Sequence, residues 1–457
     1  MPENPNLENT TIDCGTSMMC GVIHAVETRA VSSFLAGRGY RRRGFGDNPA
    51  YDVCEQRGQL ETMFTPDFIN ALFPQGRSDV ARDAELYDKI RSYRRRIDRD
   101  ICLFRAADSA REVDPRYLDI TLRVECIDCY FFPAGIMIYA VTADIAGISI
   151  ADYMTLAADI RMVNFYPDPQ PRARNLRFTD EFLALFHDAL CIKAGDAAAA
   201  GDLSHDLFQG NKLYTYTALR LNCNGRSFGP GYDCMRLLAD LTHGNEFGES
   251  AQHSDSPNRM SDVYLERAAR ECSLSMYANW TAMASTDFFA VIADNSLPEW
   301  AFSPWRGSRY MIFLNALMSK SMLIKISAES HSKDIDARFE AEFLKLDRVV
   351  NPPIISYNEL PRELCDLMRR AFGVTSQLDI IEERISKNAE KKRDRMEQVQ
   401  NYILFALAVL GIFEAVEAFN SFARRNEWLT WSNAVMAAVI ALILVFGLRK
   451  WNNYRKL

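Results

Sequence analysis

Histidine is scarce, six residues in 457. The six are dispersed, with no HExxH pattern and no close pair, so a hydrolytic zinc centre is not indicated. The sequence also lacks GxxxxGK[ST], GxSxG and GxGxxG, the spacings that cradle phosphates or present a nucleophile, and we expect no enzymatic activity and no bound cofactor. No long basic block occurs outside the C-terminal flanks and the net charge is −7 at pH 7, so a nucleic-acid polymer is not an expected partner. A signal peptide is not expected either, because Met1 to Thr11 is polar and the first apolar stretch is short. Eleven cysteines at irregular spacings argue against a disulfide framework and for a reducing compartment.

Long hydrophobic runs are missing until Asn401, where the text changes. Asn401 to Phe419 reads NYILFALAVLGIFEAVEAF and Trp428 to Leu448 reads WLTWSNAVMAAVIALILVFGL. Each has about the 20 residues needed to cross ~30 Å of hydrocarbon. Lys387, Lys391, Lys392, Arg393 and Arg395 precede the first run, and Arg449, Lys450, Arg455 and Lys456 follow the second. Only Arg424 and Arg425 stand in the polar break from Asn420 to Glu427, so both flanks are expected in the cytoplasm. Trp428, Trp431 and Trp451 fall at the expected interfaces. The reading is a two-pass hairpin over 401–448, in the cell's inner (plasma) membrane, with a basic tail over 449–457. The first run also carries Glu414 and Glu417, and an ionised group at mid-span costs about 2.5–3.5 kcal/mol on insertion scales. Either that side of the helix faces protein or water, or both glutamates reach the outer headgroups.

Upstream, residues 352–400 read as a long stalk helix. Leu364, Leu367, Met368, Ala371, Phe372, Leu378, Ile381 and Ile385 recur at helical spacing, and the text from Asp379 to Glu397 mixes both signs of charge. Unbroken to the end of the first run, this helix would reach roughly 90 Å. Gly373 is the position at which it would break, at a cost of about 1 kcal/mol relative to Ala.

Residues 115–351 read as an α/β domain with polar inserts. YLDITLRVECIDCYFF and IMIYAVTADI flank Pro133-Ala134-Gly135, which predicts two strands around a turn, and Ser149 to Met162 returns to helical spacing. Residues 195–202 and 242–261 read as loops, and Arg309 to Ser327 as a helix running into a short strand. Residues 1–114 read as a mixed, mostly helical region in which Lys89 to Arg96 forms a solvated arginine-rich helix face. Cys126 and Cys129 form the one CxxC, but an odd offset on a strand points the thiols to opposite faces. His243 and His253, in a polar stretch, are candidate metal ligands weighed against solvated loop histidines. Gly225 to Gly231 reads as a turn.

This order of parts resembles the CorA-like family of divalent-cation channels and transporters: an α/β cytosolic domain, a long helix feeding the first span, a short outer loop, a second span and a basic tail. Glu359 to Leu457 carries most of the resemblance. The family signature Gly-Met-Asn at the outer end of the first span is here Ala418-Phe419-Asn420. The resemblance implies a homo-oligomer, a pentamer, with a ring of Asn420 amides holding a hydrated divalent cation such as magnesium. That cation would be the transported or regulatory ion. On the same helix face stand Val416, Phe413, Val409, Ala406 and Tyr402, with Glu417 to one side. These residues either line an apolar throat or pack the bundle.

Two further functions are compatible with the sequence. In one the same build is a membrane effector opened by a small-molecule or nucleotide messenger, as in CorA-like proteins linked to type III CRISPR antiviral defence. In the other the hairpin only anchors a binding module to the lipid bilayer.

Overall fold

In a computed structural model of the chain, the residues described are 10–23, 35–44, 51–53, 57–70, 90–103, 121–132, 135–161, 178–190, 213–223, 228, 231–332, 343 and 354–425. The chain divides into two compact units, Met1–Ile381 and Glu382–Leu457.

The first unit is an α/β structure built on one sheet. Its strands are β1 (Ile12–Ile23), β2 (Arg41–Gly44), β3 (Tyr51–Val53), β4 (Arg91–Cys102), β5 (Thr121–Phe132), β6 (Ile136–Ile145), β7 (Tyr214–Leu221), β8 (Ser273–Leu274), β9 (Trp280–Ala284) and β10 (Phe288–Asp294). They lie in the order β3-β2-β4-β5-β6-β1-β7-β10-β9-β8. Among the described residues only β2/β3 and β7/β10 pair in parallel.

The β5–β6 hairpin forms where the β-rich text and the turn chemistry place it. Gly135, at φ +70, supplies the left-handed residue just before β6. Every residue of β6 except Asp144 is buried, as expected for a central strand covered on both faces. Beside it, Gly21 of β1 stands opposite Tyr139. A Cβ there would lie 2.2 Å from the Tyr139 ring, so only glycine lets that aromatic side chain cross β1.

Helices cover both faces. On one side lie α3 (Ile150–Ile160), α4 (Asp180–Leu190) and α5 (Cys234–His243), followed by α6 (Asp262–Glu271), which packs on α5. On the other lie α7 (Glu299–Arg306), α8 (Tyr310–Ser332) and α9 (Glu359–Ala371), with α8 against β6 and α9, and α9 against β8 and β9. Two short helices, α1 (Arg57–Met63) and α2 (Pro66–Asn70), pack on each other. The last described element, α10 (Val374–Arg425), begins in the first unit, where Val374, Leu378 and Ile381 are buried.

Several expectations are corrected. Residues 1–114 do not form a separate, mostly helical region: they supply β1 to β4, and β1 sits mid-sheet between β6 and β7. The arginine-rich stretch is not a helix face, since Arg91–Cys102 is strand β4. Helix propensity is a weak prior for arginine, and here the strand places Tyr93 in the core while Arg94 pairs with a carboxylate buried in the neighbouring strand. No strand follows the helix at Arg309 to Ser327, because Tyr310–Ser332 is a single helix. Buried between sheet and α9, that helix is apolar nearly all round, and such text carries no period that separates helix from strand.

The stretch 242–261 is ordered. Thr242 and His243 close α5, Gly244 caps it at φ +76, and the turns beyond wrap the buried Asp240 carboxylate, which accepts from Tyr232 Oη, Ser250 N and Asn245 Nδ2 at 2.9, 2.9 and 3.1 Å. The stalk is not one helix. It breaks at Phe372-Gly373, where Gly373 has φ +73, and α9 belongs to the first unit, with Leu364, Cys365, Leu367 and Met368 buried. The insert 195–202, Pro352-Pro353, the second apolar run, the three tryptophans and the basic tail lie outside the described residues.

Candidate functional site: an arginine-lined cavity and an exposed apolar helix

Two bulges face each other in the middle of the sheet. The β4–β5 register slips between Arg96 and Arg99, and the β5–β6 register slips between Val124 and Cys126. A bulge re-aims the side chains beside it. Here the extra residue, Glu125, and its neighbour Cys126 both line one cavity of about 200 Å³. Arg43 of β2, Arg94 and Arg96 of β4, Thr142 of β6, Arg306 at the end of α7 and Tyr310 in the first turn of α8 complete most of its wall.

Beneath the cavity lies Asp128, fully buried. Arg94 grips it with Nε and Nη2, each 2.7 Å from a different carboxylate oxygen, the two-point geometry that makes arginine–carboxylate pairs strong. Arg43 Nη1 donates to Asp128 Oδ2 at 3.2 Å, to Tyr130 Oη at 2.8 Å and to Tyr310 Oη at 3.3 Å. Burial opposes ionisation of Asp128, yet Arg94 and Arg43 outweigh it and hold the carboxyl below its ordinary range. Burial, reinforced by the Asp128 charge, raises the Tyr130 hydroxyl well above its usual value and pushes Cys126 up to about 12. Tyr130 therefore stays a neutral donor, and Cys126 stays a thiol.

The opposite wall carries a second acid–base group. Arg306 Nη2 donates to Asp144 Oδ1 at 2.7 Å, while its Nε is shielded from solvent and has no hydrogen-bond partner among the described residues. Burial raises the Glu125 carboxyl, and the charge and hydrogen bond of Asp144 raise it further, against the pull of Arg306 and Arg94.

A second cavity, about 270 Å³, lies where α5, α6, the end of β9 and the β9–β10 turn meet. Its charges are mutually closed: Arg161 pairs with Asp287 at 2.7 Å. His243 is not a loop residue but the last of α5, with Nδ1 2.8 Å from Ala239 O and Nε2 2.6 Å from Tyr264 Oη. Burial lowers its pKa, so it stands as a neutral imidazole between an acceptor and a donor. His253 lies in the turns beyond, away from this pair. The CxxC thiols diverge as expected, Cys126 into the arginine cavity and Cys129 into the core on the other face. Among the described residues no group of three His, Cys, Asp or Glu suits a metal ion. Of the segment Gly225 to Gly231 only Phe228 and Gly231 are described.

In the second unit, most described residues of α10 are exposed. Its polar stretch carries Lys387–Glu383 and Arg393–Glu397 ion pairs at 2.6 and 3.3 Å, each spanning one helical turn. Beyond Asn401 the exposed residues become apolar: Leu404, Leu407, Leu410 and Phe413 are 57–63% exposed. This helix is long and apolar enough to cross a membrane. Asn420, Glu417, Val416, Phe413, Val409, Ala406 and Tyr402 all lie on it. Tyr402, Ala406, Phe413 and Glu417 are exposed, whereas Val409, Val416 and Asn420 join Ile412 in a half-covered stripe. Asn420 Oδ1 is shielded and has no partner among the described residues. The helix runs past Phe419 to Arg425, so the polar break expected at Asn420 is helical at its start.

The arginine cavity is not legible in the sequence, because its walls come from positions as distant as Arg43 and Tyr310, 267 residues apart. One signal was available: Asp128 is the one charge in Cys126–Phe132, the apolar second half of β5, and a charge buried in a strand requires a partner. Comparison of the chain with protein-family models, curated proteins and solved structures finds no match.

Proposed function

We propose that the protein is a homo-oligomeric membrane channel of CorA-like build, in which the α/β unit governs conduction through the apolar part of α10. The observation that carries this reading is α10 itself. It starts among buried residues of the sheet unit and becomes a largely exposed apolar surface beyond Asn401. Large apolar side chains do not remain in water over that length without cover, and lipid together with copies of the chain provides it.

In this reading the second apolar run, Trp428 to Leu448, returns the chain across the bilayer and both ends face the cytoplasm. Two helices per chain cannot enclose a water path, so conduction requires a ring of chains, five by resemblance. Asn420 lines the mouth, where its amide oxygen takes a hydrated cation as partner, and Val416, Phe413, Val409, Ala406 and Tyr402 form a throat that gates by dewetting. The transported ion is a divalent cation, magnesium by resemblance. Light scattering of the detergent-solubilised protein tests the assembly: a particle of five chains supports it, and a monomer favours a plain anchor.

A second reading keeps the build and adds a soluble ligand as the trigger. It is favoured by the position of the arginine cavity. Tyr310 in the cavity wall lies one turn before Phe313, and Phe313 packs against Phe372 at the break between α9 and α10.

A further inference from the structure

We propose that the arginine-lined cavity binds a small phosphorylated anion through the guanidinium groups of Arg43, Arg94, Arg96 and Arg306. Four guanidinium groups face three carboxylates there, Asp128, Asp144 and Glu125. Among the described residues these four arginines outnumber the three carboxylates, of which only Glu125 itself lines the cavity. A guanidinium fork matches phosphate oxygens two at a time and keeps its charge at any physiological pH. Arg306 supplies a concrete vacancy for such an oxygen: its Nε is shielded from water and unpartnered among the described residues. A buried donor in that state costs free energy that an accepting oxygen recovers. Arg96, exposed, adds a fourth guanidinium to the lining.

Size limits the occupant. A volume of about 200 Å³ is below the ~300–1,000 Å³ of pockets that enclose a drug-sized ligand. The cavity therefore seats a phosphate or diphosphate group, and anything attached to it projects outward. Like-charge repulsion between the arginines is relieved on binding, which draws β2, β4 and the α7–α8 turn together around the anion. That this bears on gating rests on the channel reading; the binding site itself does not.

The test uses the full chain in lipid-free detergent and calorimetric titration with pyrophosphate, inorganic phosphate and citrate. The wild type is expected to bind pyrophosphate more tightly than citrate. Arg96→Gln, at an exposed position, and Arg306→Gln are each expected to weaken pyrophosphate roughly 10- to 100-fold, the loss of one charge-assisted hydrogen bond or pair, with circular dichroism unchanged. Absence of pyrophosphate binding by the wild type, citrate binding as tight as pyrophosphate, or binding undiminished in both folded variants would overturn the proposal. Binding without ion flux in vesicles would leave the anion site standing and count against the channel instead.

Discussion

Phe313, in the first turn of α8, meets Phe372, the last residue before Gly373, edge to face, with 5.5 Å between ring centroids and 77° between ring planes. The same α8 turn carries Tyr310, whose hydroxyl accepts from Arg43. A chain of direct contacts thus joins the arginine cavity to the point where α9 ends and α10 begins. Lys320, two turns further along α8, reinforces that point, its Nζ lying 5.0 Å from the Tyr214 ring centroid and 5.5 Å from that of Phe372.

Gly373→Ala is expected to destabilise the fold by about 1–2 kcal/mol, the cost of a side chain in the left-handed region. Among the described residues no atom other than Ser376 Oγ, at 3.6 Å, approaches the added Cβ, so the loss reflects backbone strain rather than collision. Thermal unfolding in detergent measures it, and an unchanged midpoint would mean that the break relaxes into continuous helix.

Asp128→Asn is expected to cost about 3–5 kcal/mol, because it leaves buried guanidinium charge without its counter-ion. The pH dependence follows from the lowered carboxyl. A carboxyl whose folded pKa is depressed stabilises the protein above its unfolded value, near 4, and the contribution is lost as pH falls through the folded one. Wild-type stability should therefore drop on acidification below pH ~4, and the drop should be smaller in the Asn variant.

Lys320 is almost fully buried, and burial lowers its pKa to about 8, against the opposing pull of Asp287. Its charged form is disfavoured by folding, so stability is greatest above the unfolded pKa, about 10.4, and falls as pH drops toward 8. Lys320→Met removes that penalty but also the hydrogen bond to Thr286 O, 2.6 Å long. A net gain of about 1–2 kcal/mol at pH 7 is expected, narrowing toward pH 10. Denaturant titration at the two pH values checks the sign.

The apolar end of α10 gives a fractionation prediction. The full chain should stay with membranes through an alkaline carbonate wash, and a chain ending at Gln400 should appear in the aqueous fraction. Release of the full chain by the wash would contradict membrane spanning.

Where the fold was legible, local chemistry and tertiary role agree. The β5–β6 hairpin and α3 announce themselves because the β-rich apolar runs, Gly135 and the Ser149 cap, whose Oγ accepts from Asp152 N at 3.1 Å, all point the same way. Gly373 marked the break in the stalk for a similar reason, since glycine alone enters φ +73 without strain. Strand β4 was hidden because Arg94 answers Asp128 in β5 and Arg99 answers Glu181 in α4, facts that no window of β4 contains. Helix α8 was misread at its end because burial on both sides erases the amphipathic period. The arginine cavity escaped altogether: it depends on two opposed bulges and on residues from five strands and the α7–α8 turn, and register slips leave no mark in sequence spacing.

Ion flux from vesicles reconstituted with the wild type and with Asn420→Ala tests the central claim most directly, with Mg²⁺, Ni²⁺, Co²⁺, Zn²⁺, K⁺ and Na⁺ in turn, with and without pyrophosphate. A channel lined by α10 predicts cation flux that the substitution alters in rate or selectivity. Silence for every ion under both conditions, from protein that remains oligomeric, would contradict it.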